Sequence, residues 1–307
     1  MSLSSLRPLV GANMLLAAVL LMLGGDFMFA LNDALGKWLV ATFSVGQVVL
    51  VRSLGAFIIL GPMIARQGVG ELFSLERPWL HVLRVVMATT DTVLFYAAVV
   101  HLPLADVMTF YMAGPIYVAA ISHVFLGEKV GWRRWLAILV GFVGVVIALR
   151  PSSAALSASS IYALIGSLSF ATATVLNRRL RGTSDGTLVT WQTVGALIGG
   201  AALAGGNWQA AGPFDLFAML LLGIISCIAH LMITRALKMA PASTLAPLHY
   251  SLLLWGVVFG LVFFSDVPDR QILVGSAVIV LAGLFIVHRQ KVVDRGVPPE
   301  SVARDMP

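Results

Sequence analysis

Along this chain, apolar stretches of about twenty residues follow one another with only short breaks, and that succession constrains the fold more than any motif does. A helix needs roughly 20 mainly apolar residues to cross the hydrocarbon core of a bilayer. Inside that core each backbone N–H and C=O must find its partner within the segment or in a closed barrel, so runs of this length read as helices. The stretches lie near residues 12–34, 44–65, 79–100, 103–125, 132–150, 159–180, 187–204, 213–236, 242–264 and 270–289. The breaks between them carry turn chemistry or charge: His101-Leu102-Pro103, Gly127 to Arg134, Pro151-Ser152-Ser153, Gly205-Gly206-Asn207, Pro241 and Asp266 to Asp269. The chain is therefore expected to be an all-α integral membrane protein of ten transmembrane helices, with the lipid bilayer as its principal partner.

Composition agrees. Hydrophobic residues make up 59% of the 307 and charged residues 11%, against nearer 45–50% and 25% in a soluble domain. The net charge of +6 is spread over many short connections, not gathered on one face, which argues against a nucleic-acid partner. The single cysteine, Cys227, excludes an internal disulfide and a Cys-based metal cluster. No cleavable signal peptide is expected, because the first apolar run is long and leads straight into another span.

The positions of Lys and Arg set the topology. With the N-terminus in the cytoplasm, Arg7, Arg66, Arg77, Lys129, Arg133, Arg134, Arg178, Arg179, Arg181, Arg235, Lys238, Arg289, Lys291, Arg295 and Arg304 fall inside. Only Lys37, Arg150 and Arg270 fall outside, and Arg52 and Arg84 lie within spans. Such a bias predicts ten spans with both termini cytoplasmic, as in a bacterial inner membrane.

The chain also repeats itself. Gly25, Phe29, Ala30, Leu35 and Leu39 recur as Gly166, Phe170, Ala171, Leu176 and Leu180. Ser44, Gly46, Val49, Gly55 and Ala56 recur as Ser184, Gly186, Val189, Gly195 and Ala196, and Ala98, Pro103, Val124, Phe125 and Glu128 as Ala236, Pro241, Val262, Phe263 and Asp266. The order is kept and the offset stays near 140 residues, giving repeats over 1–151 and 152–290 and a flexible cytoplasmic tail over 291–307. Each repeat holds five helices, an odd number, so the two halves enter the membrane in opposite directions. Inverted repeats are a secondary-transporter architecture, with the substrate site near mid-membrane between the halves. The expected partner is thus a small-molecule substrate carried by a monomer or homodimer, with no cofactor.

The residues resemble a known family. Asn32-Asp33-Ala34-Leu35-Gly36-Lys37 closes the first span, Arg52 lies in the second and Arg84 in the third. Tyr96-Ala97 precedes Leu102-Pro103-Leu104-Ala105-Asp106, and Pro115 and Leu126-Gly127-Glu128 lead to Trp132-Arg133-Arg134-Trp135 and a Gly-rich fifth span ending Arg150-Pro151. In the second half stand Ala236, Ala240-Pro241-Ala242-Ser243-Thr244 and Asp266. From about residue 12 to 290 this pattern resembles the EamA branch of the drug/metabolite transporter superfamily. The resemblance implies a carrier; within the branch it is most similar to uptake carriers for S-adenosylmethionine and riboflavin, while other members resemble amino-acid exporters. The shared motifs leave the cargo open.

Ionisable residues inside spans are costly and mark functional candidates. At a 1.5 Å rise per residue, Asp26, Arg52 and Asp91 fall at about 60% of the way across from the cytoplasmic side, suggesting a common polar cavity. They could equally form a structural network in which Arg52 bridges Asp26 and Asp91. Arg52 or Arg84 would grip a carboxylate through the planar guanidinium fork. Asp26, Asp91 and His230 are candidates for proton coupling, His230 because a histidine changes charge near neutral pH. Tyr96, Tyr111, Trp191, Gln192, His249 and Tyr250, with Trp255, would complete the substrate walls. Asp33 and Asp106 read as solvated residues at the outer mouth, and Trp38, Trp79, Trp132 and Trp135 as interfacial belt residues. Gly195 with Gly199 and Gly256 with Gly260 are close-packing signals, and Pro115 is expected to kink the fourth span.

Enzymatic readings find little support. His101 and Asp106 have the spacing of an acyltransferase His-x4-Asp motif, but they sit on a minimal turn beside Pro103 with no basic carrier-docking surface nearby. No phosphate-cradling loop, metal-ligand cluster or Asp-rich diphosphate motif is present. The expected function is secondary transport of a small polar or zwitterionic metabolite by alternating access, coupled to protons or to exchange. The alternative is facilitated exchange of a larger cofactor-like solute such as S-adenosylmethionine or riboflavin.

Overall fold

A computed structural model describes residues 7–102, 104–128, 130–151, 157–205, 208–264 and 270–296. Pro103, Lys129, residues 152–156, Gly206, Asn207, Asp266, Asp269 and residues 297–307 lie outside the described residues, as does the side chain of Asp106. The described chain is helical and without strands: α1 Arg7–Val40, α2 Val45–Gln67, α3 Gly70–Phe73, α4 Pro78–His101, α5 Leu104–Met112, α6 Gly114–Phe125, α7 Trp132–Leu149, α8 Ser160–Arg179, α9 Asp185–Ala204, α10 Pro213–Met239, α11 Ala242–Leu245, α12 Ser251–Phe264 and α13 Arg270–Gly296. Seven helical stretches among the described residues are long and apolar enough to span a membrane: within α1, α2, α4, Val107–Phe125, α8, α9 and α10. Helices also cover the other three stretches read as spans, in α7, α12 and α13. The chain is a multi-pass membrane protein.

Local chemistry sets the helix ends. The Ser44 hydroxyl accepts from the Gln47 N–H at 3.3 Å at the start of α2, and the Ser184 hydroxyl accepts from the Thr187 N–H at 3.1 Å at the start of α9. These caps satisfy one orphan donor each. Pro78 and Pro213 occupy the first turns of α4 and α10, where a missing N–H has no intrahelical acceptor to disappoint. Gly68 closes α2 at φ 86°, a left-handed conformation that favours glycine.

Two stretches are interrupted. The fourth breaks at Ala113, next to Pro115 in the first turn of α6, which fits the kink expected there. The ninth, expected as one helix over 242–264, is instead α11, a tighter 3₁₀ turn over Ala246–Tyr250 containing Pro247, and then α12. Proline removes the N–H that a continuous α-helix would use, and the chain responds by tightening.

Small residues let the helices touch. A Cβ on Gly223 of α10 would stand 1.8 Å from the Arg52 carbonyl oxygen of α2, and one on Gly195 would meet Val85 and Thr89 of α4. The main pairings are α1 with α10, α4 with α8, α2 with α9, and α7 with α13. Outside these contacts the helices expose large apolar side chains, among them Leu20, Ile58, Ile198 and Leu281, as a lipid-facing surface does. Trp38, Trp79 and Trp132 are exposed as well.

Candidate functional site

A cavity opens between α1, α2, α4, α5, α8 and α10, with the 3₁₀ turn forming part of its wall. Asn32, Asp33, Arg52, Asp91, Thr92, Tyr96, Tyr111, His230 and His249 supply its polar lining, and Phe29, Phe95, Met108, Met112, Phe170 and Leu252 its apolar one. A mainly apolar wall with a few converging polar groups is the usual make-up of a small-molecule site.

Arg52 is buried on α2 and reaches across two helices. It donates to the Tyr96 hydroxyl of α4 at 2.9 Å and to the Ser226 hydroxyl of α10. Its guanidinium carbon lies 5.7 Å from the Tyr96 ring centroid. The Arg52 bridge to Asp26 and Asp91 allowed by the sequence is not what forms. Asp91 accepts instead from the Tyr111 hydroxyl at 2.8 Å. Asp26, fully buried, lies behind the cavity wall, where its oxygens are taken by His249 Nδ1 at 2.7 Å and by the Ser251 hydroxyl at 2.9 Å. The helix faces decide this: Asp26 points toward the ninth stretch, away from α2.

Of the residues expected from sequence, Arg52, Tyr96, Tyr111, Asp91, His230 and His249 converge on this one cavity. Besides Asp26, five others sit elsewhere. Arg84 is buried away from the cavity and donates to Asn177 Oδ1, to the Leu188 carbonyl at 2.8 Å and to Gln192 Oε1 at 2.8 Å. Gln192 is held between Arg84 and His230, whose ring nitrogens lie 3.0 and 3.2 Å from its Nε2. Trp191 turns toward the short helix α3, donating to the Leu72 carbonyl at 2.8 Å and meeting Phe73 edge-on. Tyr250 faces α7, where its hydroxyl donates to the Ile138 carbonyl at 3.0 Å and its ring fills the space over Gly141. Trp255 packs edge-on against Phe27 at 4.9 Å, and Phe29, Phe95 and Phe170 take the wall positions expected for Trp191, Tyr250 and Trp255.

Asp33 departs from the sequence expectation. Read as a residue of the outer mouth, it lines the cavity beside Arg52, Asp91 and Tyr96. Helix α1 runs on to Val40, six residues beyond the end read from the sequence, so Asp33 lies within the helix and not at its end. Among the described residues no group of three or more His, Cys, Asp or Glu side chains is arranged to hold a metal ion.

Comparison with known proteins follows the same line. The model of the EamA-like transporter family matches residues 16–150 and again 157–288. The chain is 24% identical over 261 residues to an S-adenosylmethionine uptake transporter of Rickettsia bellii, covering 85% of this chain and 89% of that one. It is 27% identical over 267 residues to a riboflavin transporter of Rhizobium johnstonii, covering 85% and 88%. Against the pseudopaline exporter CntI of Pseudomonas aeruginosa it is 28% identical over 295 residues, covering 91% and 99%. A solved crystal structure shares the fold with a TM-score of 0.76 at 16% identity, covering 89% of this chain and 98% of the other. The family and these relatives are transporters, not enzymes. On the two matches that together span nearly all of its length, this chain is a member of the EamA-like transporter family.

Proposed function

We propose that this transporter moves a small polar or zwitterionic organic metabolite by alternating access, with Arg52, Asp33 and Asp91 as its charged contacts. The observation that carries the reading is their meeting on the wall of one cavity, between helices drawn from both halves of the chain. Arg52 keeps guanidinium N–H groups beyond the two bonds it makes to Tyr96 and Ser226. These can take a cargo carboxylate, while Asp33 and Asp91 suit an ammonium group or a proton. Tyr96, Tyr111, His230 and His249 complete the polar lining.

The alternating part of the proposal rests on pairing. An inverted repeat over 1–151 and 152–290 makes α1 equivalent to α8 and α4 equivalent to α10. The packing of α1 on α10 then has its counterpart in α4 on α8, and α2 on α9 and α7 on α13 are pairs of equivalents. The Ser44 and Ser184 caps stand at equivalent positions too. Ten spans, an inner-membrane location and cytoplasmic termini belong to the same proposal.

The names of the relatives suggest a second reading, exchange of a larger solute such as S-adenosylmethionine or riboflavin. The ring-rich wall of Phe29, Phe95, Tyr96, Tyr111 and Phe170 favours it, since flat rings stack on aromatic faces. One screen separates the two. Purified protein is melted in the presence of amino acids, organic acids, S-adenosylmethionine and riboflavin, because a bound ligand raises stability by mass action. Each hit is then tested for saturable counterflow in proteoliposomes. Counterflow of an amino or organic acid supports the first reading, and counterflow of only the larger solutes replaces it. Covalent change of any solute would sink both.

A further inference from the structure

Two buried polar atoms in the cavity wall, Asn32 Oδ1 and His249 Nε2, have no hydrogen-bond partner among the described residues. His249 is almost fully buried and lines the cavity, yet its Nε2 has no hydrogen-bond partner among the described residues. Native structures rarely leave a buried polar atom in this state, and for a residue that lines a cavity the cavity's occupant is an available partner.

The rest of the ring is tightly held. Nδ1 lies 2.7 Å from Asp26 Oδ1, and the other Asp26 oxygen accepts from the Ser251 hydroxyl at 2.9 Å. A carboxylate only accepts hydrogen bonds, so Nδ1 carries the hydrogen and Nε2 is the position free to gain or lose one. Phe170 meets the ring edge-on at 5.2 Å. The backbone beneath it is the 3₁₀ turn Ala246–Tyr250, an interruption of the ninth stretch. Carriers use such interruptions to present polar groups to a cargo at membrane depth.

The geometry points to His249 Nε2 as a proton-gated hydrogen-bond donor to a carboxylate or carbonyl of the cargo, with Asp26 and Ser251 as the positioning residues that aim it. This rests on the cavity being the cargo site, as proposed above, and deepens that reading by naming the group recognised and the atom that recognises it. With a proton on Nε2, imidazolium and carboxylate form a pair of no net charge, and Nε2 donates. Without it, Nε2 presents a lone pair and the pair carries one negative charge, both of which repel a cargo acid. An acidic group is therefore held with the ring protonated.

The surroundings keep this assignment specific. Asp26 is the charged group that touches the ring, and Asp33, Arg52, Asp91, Tyr111 and His230 share its cavity. Tyr250 is engaged with the Ile138 carbonyl, and Tyr117 lies on α6 beside the turn. Val145 of α7 and Ile279 of α13, which pack around the Tyr250 ring behind the turn, are apolar.

The test is ¹⁵N NMR of full-length protein labelled at histidine and arginine, in nanodiscs, titrated with pH and then with acetate as a minimal carboxylate. His249 is assigned by His249→Gln or, should that variant not fold, by replacing the other five histidines one at a time. The expected result is an Nδ1–H ring whose Nε2 resonance titrates and shifts on adding acetate. Asp26→Asn should abolish the tautomer preference, and Ser251→Ala, a milder change, should weaken it. An Nε2–H ring that leaves Nδ1 bare overturns the proposal, and so does a titration that Asp26→Asn and Ser251→Ala leave unmoved. Acetate that shifts the Arg52 side-chain resonances and not those of His249 overturns it while leaving the cavity as cargo site. Acetate that shifts neither removes the acid-binding reading of the cavity along with it.

Discussion

The Arg52 guanidinium donates to the Tyr96 hydroxyl at 2.9 Å, and this single bond ties α2 to α4 across the candidate cargo cavity. It makes Arg52 both a brace and a candidate ligand, and the two roles respond differently to substitution. Lysine keeps the positive charge but cannot make the planar fork. Arg52→Lys is expected to weaken binding of an acidic cargo by about 1–3 kcal/mol, the scale of a hydrogen bond to a charged group. The melting temperature of the empty protein should fall only slightly, because the bonds at stake, to Tyr96 and Ser226, have neutral partners and lysine can keep one of them. A large fall in melting temperature with normal binding in the folded fraction would make Arg52 scaffold alone.

Arg84 should behave in the opposite way. Its bonds go to Asn177, Leu188 and Gln192, all on the second half of the chain, and it stands outside the cavity. Arg84→Ala strands three buried neutral acceptors, and each one left unsatisfied costs about 1–3 kcal/mol. The milder Arg84→Lys should still lower the melting temperature by several degrees. Cargo affinity measured on the folded fraction should match the wild type, and a tenfold loss there would return Arg84 to the list of ligands.

How much of this was legible in the sequence differs residue by residue. Hydropathy located the helices because a bilayer imposes one length on every span, and the aligned serines gave the matched caps at Ser44 and Ser184. Depth counting gave Asp26, Arg52 and Asp91 one cavity; Arg52 and Asp91 line it, while Asp26 is paired to His249 behind its wall. It could not separate Arg52 from Arg84, since both are arginines inside apolar helices and only the helix face distinguishes them. Asp33, read as a residue near the end of the first span, lies inside helix α1, which continues to Val40, and lines the cavity. The pairing of Asp26 with His249 joins positions 223 residues apart, and neither residue carries a local signal of the other.

Topology yields a prediction from charge alone. Lys and Arg crowd the connections near residues 66–77, 129–134 and 178–181 and are sparse in the alternate ones, as the positive-inside rule requires of cytoplasmic loops. Reporter fusions after residues 70, 130 and 182 should read cytoplasmic, and fusions after 154 and 208 external. A clear inversion at any of these sites would break the odd-numbered repeat, and with it the argument for two halves of opposite orientation.

The closest backbone approach to the candidate site offers the last prediction. A Cβ on Gly223 would lie 1.8 Å from the Arg52 carbonyl oxygen, 2.7 Å from its carbonyl carbon and 2.9 Å from the Ala56 nitrogen. All three are backbone atoms, so no side-chain rotation can relieve the clash and α10 must move away from α2. That movement also separates Arg52 from Ser226, three residues along α10, and so loosens the guanidinium the cavity uses. Gly223→Ala is expected to cost at least the roughly 1–3 kcal/mol of an overpacked core and to reduce transport beyond what the loss of folded protein explains. Gly61→Ala is the matched control in the partner helix: nothing lies within 4 Å of its added Cβ. There alanine should leave the melting temperature unchanged or raise it, by up to about 1 kcal/mol of helix propensity. Melting curves and counterflow measured side by side on the two variants decide the matter, and a Gly223→Ala protein that melts and transports like the wild type would show that α2 and α10 do not meet at Arg52.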